Sequence, residues 1–199
     1  MNRRQMLTHS LAAGLGVAGV LGAVHTVRTQ SSYLVSPGMR QRGLVRPPGS
    51  LAENDFLSAC IRCQLCSQAC EADAIRLFGL GTGPLEGTPY LVPEISACTL
   101  CLRCGIACPT GAIGELTLIT EVDMGVAFVD EELCVSHNGT GVCGACHTIC
   151  PLKNKAITQG YHNQPTVHPV HCVGCGLCEE VCIVKHDKAI RVHTGRSWA

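Results

Sequence analysis

The sequence predicts an α+β body made of four similar repeats, held together by cysteines rather than by an aromatic core. Three observations predict it. Cysteine reaches 16 of 199 residues, aromatic residues make up only 4% and charged residues only 15%, and a four-cysteine group returns at a near-constant interval. A chain so short of large apolar side chains needs cross-links or bound metal to offset its conformational entropy.

The sixteen cysteines divide into four groups with none left over. Cys60, Cys63, Cys66 and Cys70 are separated by gaps of two, two and three residues, as are Cys98, Cys101, Cys104 and Cys108, and Cys172, Cys175, Cys178 and Cys182. The third group, Cys134, Cys143, Cys146 and Cys150, keeps the last two gaps and stretches the first to eight. First cysteines are 38, 36 and 38 residues apart, and an Ala-Ile pair follows each group: Ala74-Ile75, Ala112-Ile113, Ala156-Ile157 and Ala189-Ile190. Extended stretches at Tyr90 to Val92, Val126 to Val129 and Thr166 to His168 precede the later groups.

Two-residue gaps let one compact loop turn three thiolates toward three irons of a [4Fe–4S] cubane, while the fourth cysteine, expected at the start of a following helix, reaches a neighbouring cluster. Each unit therefore reads as strand, cluster loop, short helix and strand, with the Ala-Ile pair packed against the cluster. Pro109 and Pro151 suit the first turn of such a helix. The unit resembles half of a bacterial two-cluster ferredoxin, so the fold expected is four ferredoxin-like repeats, or two bacterial-ferredoxin-type modules, around four [4Fe–4S] clusters. Two pairings are open. Groups two and three share a Cys-Pro ending where groups one and four have Glu71 and Ile183. That suggests a nested scheme, in which Cys70 completes the cluster of group four and Cys182 that of group one. The sequential scheme joins one with two and three with four.

Eight disulfides would not explain triplets at two-residue spacing that recur with a period. Structural zinc sites combine two separated Cys-x-x-Cys pairs. Cys143-Gly144-Ala145-Cys146-His147 matches a c-type haem attachment site, but that use would strand Cys134 and Cys150. His137, His162, His168, His171, His186 and His193 lack paired metal spacing, and nucleotide, flavin and nucleophile motifs are missing, so no catalytic residue is expected. No basic stripe with interleaved aromatics marks a nucleic-acid surface.

Residues 1 to 25 read as an export signal: Arg3-Arg4 precede the uncharged run Leu11 to Val24, and the paired arginines suggest the twin-arginine route. Fourteen residues span roughly 21 Å as a helix, short of the ~30 Å hydrocarbon thickness. The cleavage point is not marked, which leaves an uncleaved membrane anchor open. Residues 26 to 50 form a basic Pro/Gly-rich arm, with no Asp or Glu anywhere before residue 53, and the cluster body is expected from about Leu51. An oxidising periplasm would scramble sixteen thiols, so clusters are expected to be inserted before export of the folded chain.

Nearly the whole chain resembles the ferredoxin-type proteins of the NapG/MauM family. The motifs are the twin-arginine start, Arg46-Pro47-Pro48-Gly49, Ala59-Cys60, Gly87-Thr88-Pro89-Tyr90, Met124-Gly125, Pro165-Thr166-Val167-His168 and the four cysteine groups. Glu71 departs from the pattern, which commonly has proline there. The resemblance implies a periplasmic electron carrier rather than an enzyme. Its donor would be a membrane-bound quinol dehydrogenase-type iron–sulfur protein, and its acceptor a periplasmic reductase, such as nitrate reductase, or its electron-transfer subunit. An accessory or maturation factor of the methylamine-utilisation type is the alternative.

Overall fold

The computed structural model describes residues 43–185 and 187–196; the expected leader, most of the basic arm and His186 lie outside them. Regular elements are short. Helix α1 (Glu53–Ala59) is followed by α2 (Leu65–Gln68), β1 (Ile75–Leu77), β2 (Pro89–Leu91), α3 (Arg103–Ile106), β3 (Val126–Val129), α4 (Ala145–Ile149), β4 (Ile157–Gln159), β5 (Pro165–Val167), α5 (Leu177–Glu180) and β6 (Ile190–His193). None of the described helices is long and apolar enough to cross a membrane.

The strands form three antiparallel pairs. The strand after group one pairs with the strand before group two (Ile75 opposite Leu91), and the strand after group three with the strand before group four (Ile157 opposite Val167). The third pair closes the second module: β3, before group three, runs against β6, after group four, with Val129 opposite Ile190. In the first module the equivalent closure shrinks to a single bridge, Ser50 opposite Ile113. All three extended stretches expected from sequence are strands or overlap one.

The expected helix after each fourth cysteine does not form. The helical turn instead carries the third cysteine and ends before the fourth, as α2, α3, α4 and α5, and the chain leaves the fourth cysteine through a tight turn. In group one, only four residues separate Cys70 from Ile75, where β1 begins, too few for a helix. Pro109 and Pro151 accordingly sit in turns.

A second difference is where the body begins. Residues 43–50, expected in the basic arm, pack into it: Leu44 is fully buried and Arg46 is 1% exposed. Arg46 donates from Nε and Nη2 to the Glu53 carboxylate at 3.1 and 2.5 Å, and from Nη1 to Thr88 Oγ1 at 2.9 Å and the Pro89 carbonyl at 2.6 Å. Its guanidinium lies over the Phe56 ring, 4.4 Å from the centroid. A positive charge is tolerated here because a carboxylate and two neutral oxygens replace the lost water. Two of the motifs quoted above thus prove to be one device, since Arg46 and Thr88-Pro89 are bonded to each other.

The carboxyl end returns to the same place. Leu44 N–H donates to the Arg196 carbonyl at 2.9 Å, and the Arg196 guanidinium donates to the carbonyls of Leu51 and Ser50 at 2.5 and 2.7 Å.

The apolar core is divided. The largest cluster lies across the two modules and includes Leu91, Cys98, Met124, Val173, Cys175 and Val192; a second holds Phe56, Cys66, Cys104 and Ile113; a third packs Leu44 and Leu85 on Phe78. Phe78 stacks on Tyr90 at 4.2 Å, which concentrates two of the few aromatic rings in one corner. Cysteines belong to both larger clusters, so the sites and the core are the same region.

Candidate metal centres

Three of the four cysteine triplets are wound by the same local conformation. In group one Arg62 and Gln64 have φ of 59° and 67°; in group two Leu100 and Leu102 have 61° and 60°; in group four Gly174 and Gly176 have 70° and 84°. The left-handed positions fall just before and just after the middle cysteine every time. Alternating hand turns successive N–H groups inward, making a concavity suited to negative sulfur. Side chains pay about 1–2 kcal/mol for that hand, and only group four uses glycine to avoid it.

Group three reaches the same end differently. Gly144 has φ of −153°, and the eight-residue gap folds into a loop pinned by Ser136, which is 2% exposed. Ser136 Oγ accepts the Cys143 N–H at 2.9 Å and donates to the Cys143 carbonyl at 3.3 Å. The Gly141 N–H donates to the Val135 carbonyl at 3.0 Å, closing the loop. Sequence reasoning missed Ser136, since a lone serine in a gap carries no signal of burial.

The structure brings the cysteines into four mixed sets. Cys60, Cys63, Cys66 and Cys108 line one cavity with Phe56, Ile61 and Ile113. Cys134, Cys143, Cys146 and Cys182 line another with Val129, Ile183 and Ile190, and Cys150, Cys172, Cys175 and Cys178 a third with Leu152, Ile157 and Val192. In the remaining set Cys98 packs with Cys70 in the main core, and Cys98, Cys101 and Cys104 lie within electrostatic reach of one another, as Cys70 does of Cys98. Pairing is therefore sequential: Cys70 joins group two, Cys108 group one, Cys150 group four and Cys182 group three. The nested scheme, with Cys70 at group four and Cys182 at group one, is not what the fold makes. The reason is the strand pairing, because β1 with β2 and β4 with β5 fold adjacent units onto each other.

The Ala-Ile pairs cross over with the fourth cysteines. Ala112-Ile113 line the cavity of set one, Ala156-Ile157 that of set four and Ala189-Ile190 that of set three. Each of these three pairs thus walls the site that its own group completes. Such walls exclude water and lower the local dielectric constant.

Burial governs the thiols. It pushes Cys66, Cys98, Cys146 and Cys175 up to about 11 and Cys104 up to about 12, and neighbouring cysteines add repulsion. Cys178 is driven well above the ordinary value by burial, then by Cys175, Cys172 and Cys146. Cys108 goes the other way: burial raises it, but hydrogen bonds from Ile113, Thr110 and Gly111 together outweigh that and lower it. N–H donors to sulfur recur, from Leu100 to Cys98, Ile113 to Cys108 and Ala127 to Cys172, each at 3.4 Å.

This donor set fits an iron–sulfur cluster. Four thiols surround an apolar cavity and backbone N–H groups face the sulfurs. Among the described residues no three His, Cys, Asp or Glu side chains converge closely enough to hold one metal ion. A cubane needs ligands spread over its corners, whereas a single zinc ion draws four sulfurs to about 2.3 Å from one point. His147 lies on α4, and its Nε2 is 2.9 Å from Asn154 Oδ1, so the Cys-x-x-Cys-His run is spent on set three and an Asn contact. His137 and His168 likewise bond to the Pro165 carbonyl and Thr158 Oγ1, at 3.1 and 2.9 Å.

Crossed four-cysteine sets in paired half-modules define a ferredoxin-type iron–sulfur protein. Residues 59–112 match the family model of the 4Fe-4S dicluster domain, which is the first module. The chain is 39% identical over 202 residues to the methylamine utilization ferredoxin-type protein MauM of Methylorubrum extorquens, covering 96% of this chain and 88% of the relative. It is 38% identical over 195 residues to the ferredoxin-type protein NapG of Escherichia coli, covering 91% and 80%, and 36% identical to the MauM protein of Paracoccus denitrificans, covering 96% and 86%. No solved structure matches. The chain belongs to the MauM/NapG family of ferredoxin-type proteins.

Proposed function

We propose that this protein is a one-electron relay holding four [4Fe–4S] clusters, which takes electrons from a quinol-oxidising membrane iron–sulfur partner and delivers them to a periplasmic reductase. The observation that carries the reading is the division of all sixteen cysteines into four crossed sets of four within apolar walls. A [4Fe–4S] cluster bound in such a set supplies reversible one-electron chemistry over a wide span of potentials.

The chain's own residues do the rest. The cysteines anchor each site from two units, so that ligation also ties the units together. The Ala-Ile pairs keep water from the sulfurs, and the N–H donors from Leu100, Ile113 and Ala127 stabilise negative charge there. Neither catalytic chemistry nor a substrate pocket is invoked. Paired Arg3-Arg4 ahead of an apolar run supports export of the folded chain by the twin-arginine route. Relatives named for MauM and NapG match almost equally, at 39% and 38% identity, so the relay is proposed independently of one pathway, nitrate reduction being one that the NapG resemblance suggests.

Iron, zinc and acid-labile sulfide per chain on protein purified without oxygen test the proposal. About 16 irons with equal sulfide and negligible zinc, as four cubanes require, is the result expected, followed by reduction with a quinol-linked membrane fraction. Dominant zinc would overturn it. A maturation factor would instead prove dispensable once its target enzyme had been matured.

A further inference from the structure

The sets do not touch in the order in which the sequence presents them. Within each module neighbours are set by the crossed cysteines: Cys66 of set one and Cys104 of set two share one buried cluster and lie within electrostatic reach, as do Cys178 of set four and Cys146 of set three on the main cluster, so set one adjoins set two and set three adjoins set four. The contact between modules is made by the second set of each.

There the Cys98 N–H donates to the Cys175 carbonyl at 3.0 Å, and Cys98 lies near enough to Cys175 to influence its thiol. The Ala97 N–H donates to Glu180 Oε2 at 3.3 Å. Cys98, Leu100, Val173 and Cys175 share one buried cluster. Close approach is enforced by glycine: a Cβ on Gly176 would strike the Pro93 ring, just after β2 of the first module, while one on Gly174 would come within 2.5 Å of the Gly125 carbonyl oxygen at the lead into β3 of the second module. The Met124 N–H donates to the Val173 carbonyl at 3.2 Å, which fixes the Met124-Gly125 motif against the loop of group four.

We infer that the four sets form a line in the order one, two, four, three, with the Cys98 to Cys175 peptide hydrogen bond as its central junction, and that sets one and three are its two ends. The inference rests on the proposal that each set holds a cluster. The junction connects two ligating sulfurs through a short path: the side chain and N–H of Cys98, one hydrogen bond, then the carbonyl and side chain of Cys175. Moving an electron between adjacent sets oxidises one and reduces the other by one electron, and no bond is made or broken. At each end an apolar wall residue reaches solvent: Ile61, 63% exposed, at set one, and Ile183, 56% exposed, at set three. Donor and acceptor would therefore meet different modules.

The test is electron paramagnetic resonance of the anaerobically reduced full chain and of variants that each remove one set. With Cys178→Ser, set three is expected to give an uncoupled signal while sets one and two stay coupled to each other. With Cys143→Ser, sets two and four are expected to remain coupled. Persistent coupling of set three in the Cys178→Ser protein, or loss of coupling at set four in the Cys143→Ser protein, would overturn the order in favour of one running as the sequence does. Should a variant fail to accumulate, pulsed dipolar measurements on wild-type protein poised at partial reduction give the same answer. The longest separation must be between sets one and three; a longest separation between one and four refutes the inference. Iron content separates the two claims, because wild-type protein with far fewer than about 16 irons refutes the four-cluster reading itself.

Discussion

Replacing Arg46 by alanine should cost far more than the loss of a charge from a basic arm. The side chain is 1% exposed and holds the Glu53 carboxylate through two hydrogen bonds, along with Thr88 Oγ1 and the Pro89 carbonyl. Removing it strands Glu53, 16% exposed, with only the Arg196 guanidinium at 3.7 Å to replace it. Breaking one side of a buried ion pair costs about 3–5 kcal/mol, and loss of the contact over Phe56 adds about 1 kcal/mol. Partial rescue by Arg196 brings the expected total to about 4 kcal/mol, a large share of the ~5–15 kcal/mol that holds a typical domain. Urea unfolding under anaerobic conditions, followed by loss of visible cluster absorbance, is the assay. At ~1–3 kcal/mol per molar urea the midpoint should fall by about 1.3–4 M. Arg46→Met combined with Glu53→Gln should be less damaging than Arg46→Met alone, because the second change removes the stranded charge. A shift below ~0.5 M for Arg46→Ala, or a double variant worse than the sum of the singles, would refute the account.

Four further outcomes are expected. Cys108→Ser and Cys63→Ser should abolish the same paramagnetic signal, and Cys70→Ser a different one shared with Cys101→Ser; a Cys70→Ser protein that loses the signal of group four would restore the nested pairing. Gln64, exposed at φ of 67°, should accept glycine with a gain of up to ~1 kcal/mol and lose stability as isoleucine, read from the same urea midpoints. Gly174→Ala should destabilise by about 1–3 kcal/mol, since its Cβ meets the Gly125 carbonyl at 2.5 Å with φ of 70°; a neutral result would mean that the group-four loop packs loosely on the lead into β3. The last concerns pH in the reduced, cluster-free chain. Folding raises Cys66, Cys98 and Cys175 from 9.0 to about 11 and Cys104 to about 12, so the folded state keeps protons that the unfolded state releases. Stability should thus be flat below about pH 8 and fall from pH 9 toward 11–12, and a melting temperature that rises over that window contradicts the burial of these thiols.

Much of the site was legible because ligand spacing is local. The gaps of two and three residues report how one loop can turn its thiolates, and the repeated Ala-Ile pairs report a buried strand start, so groups, strands and cavity walls followed directly. Which group completes which was not legible from the residue after the fourth cysteine, because Pro109, Pro151, Glu71 and Ile183 all lie outside the paired strands. The partner is chosen by non-local strand pairing. Glu71, where proline is usual, instead ion-pairs with Arg103 on the loop of group two, an exposed contact that supports the sequential scheme without adding much energy. Arg46 was misread for a related reason: counting charge cannot see burial, although the first carboxylate after it, Glu53, and the aromatic Phe56 lie close by in sequence. The left-handed turns were announced only by Gly174 and Gly176, since groups one and two hold the same conformation with Arg, Gln and Leu.

The contact between Arg196 and residues 44–51 makes neighbours of positions almost as far apart as the described chain allows. During synthesis all sixteen cysteines are translated before Arg196 appears, so a chain halted just short of it has every ligand but leaves the first module unsealed. The same proximity implies that the body could be reopened between its modules and rejoined through residues 43 and 196 by a short linker, with each cysteine set left intact.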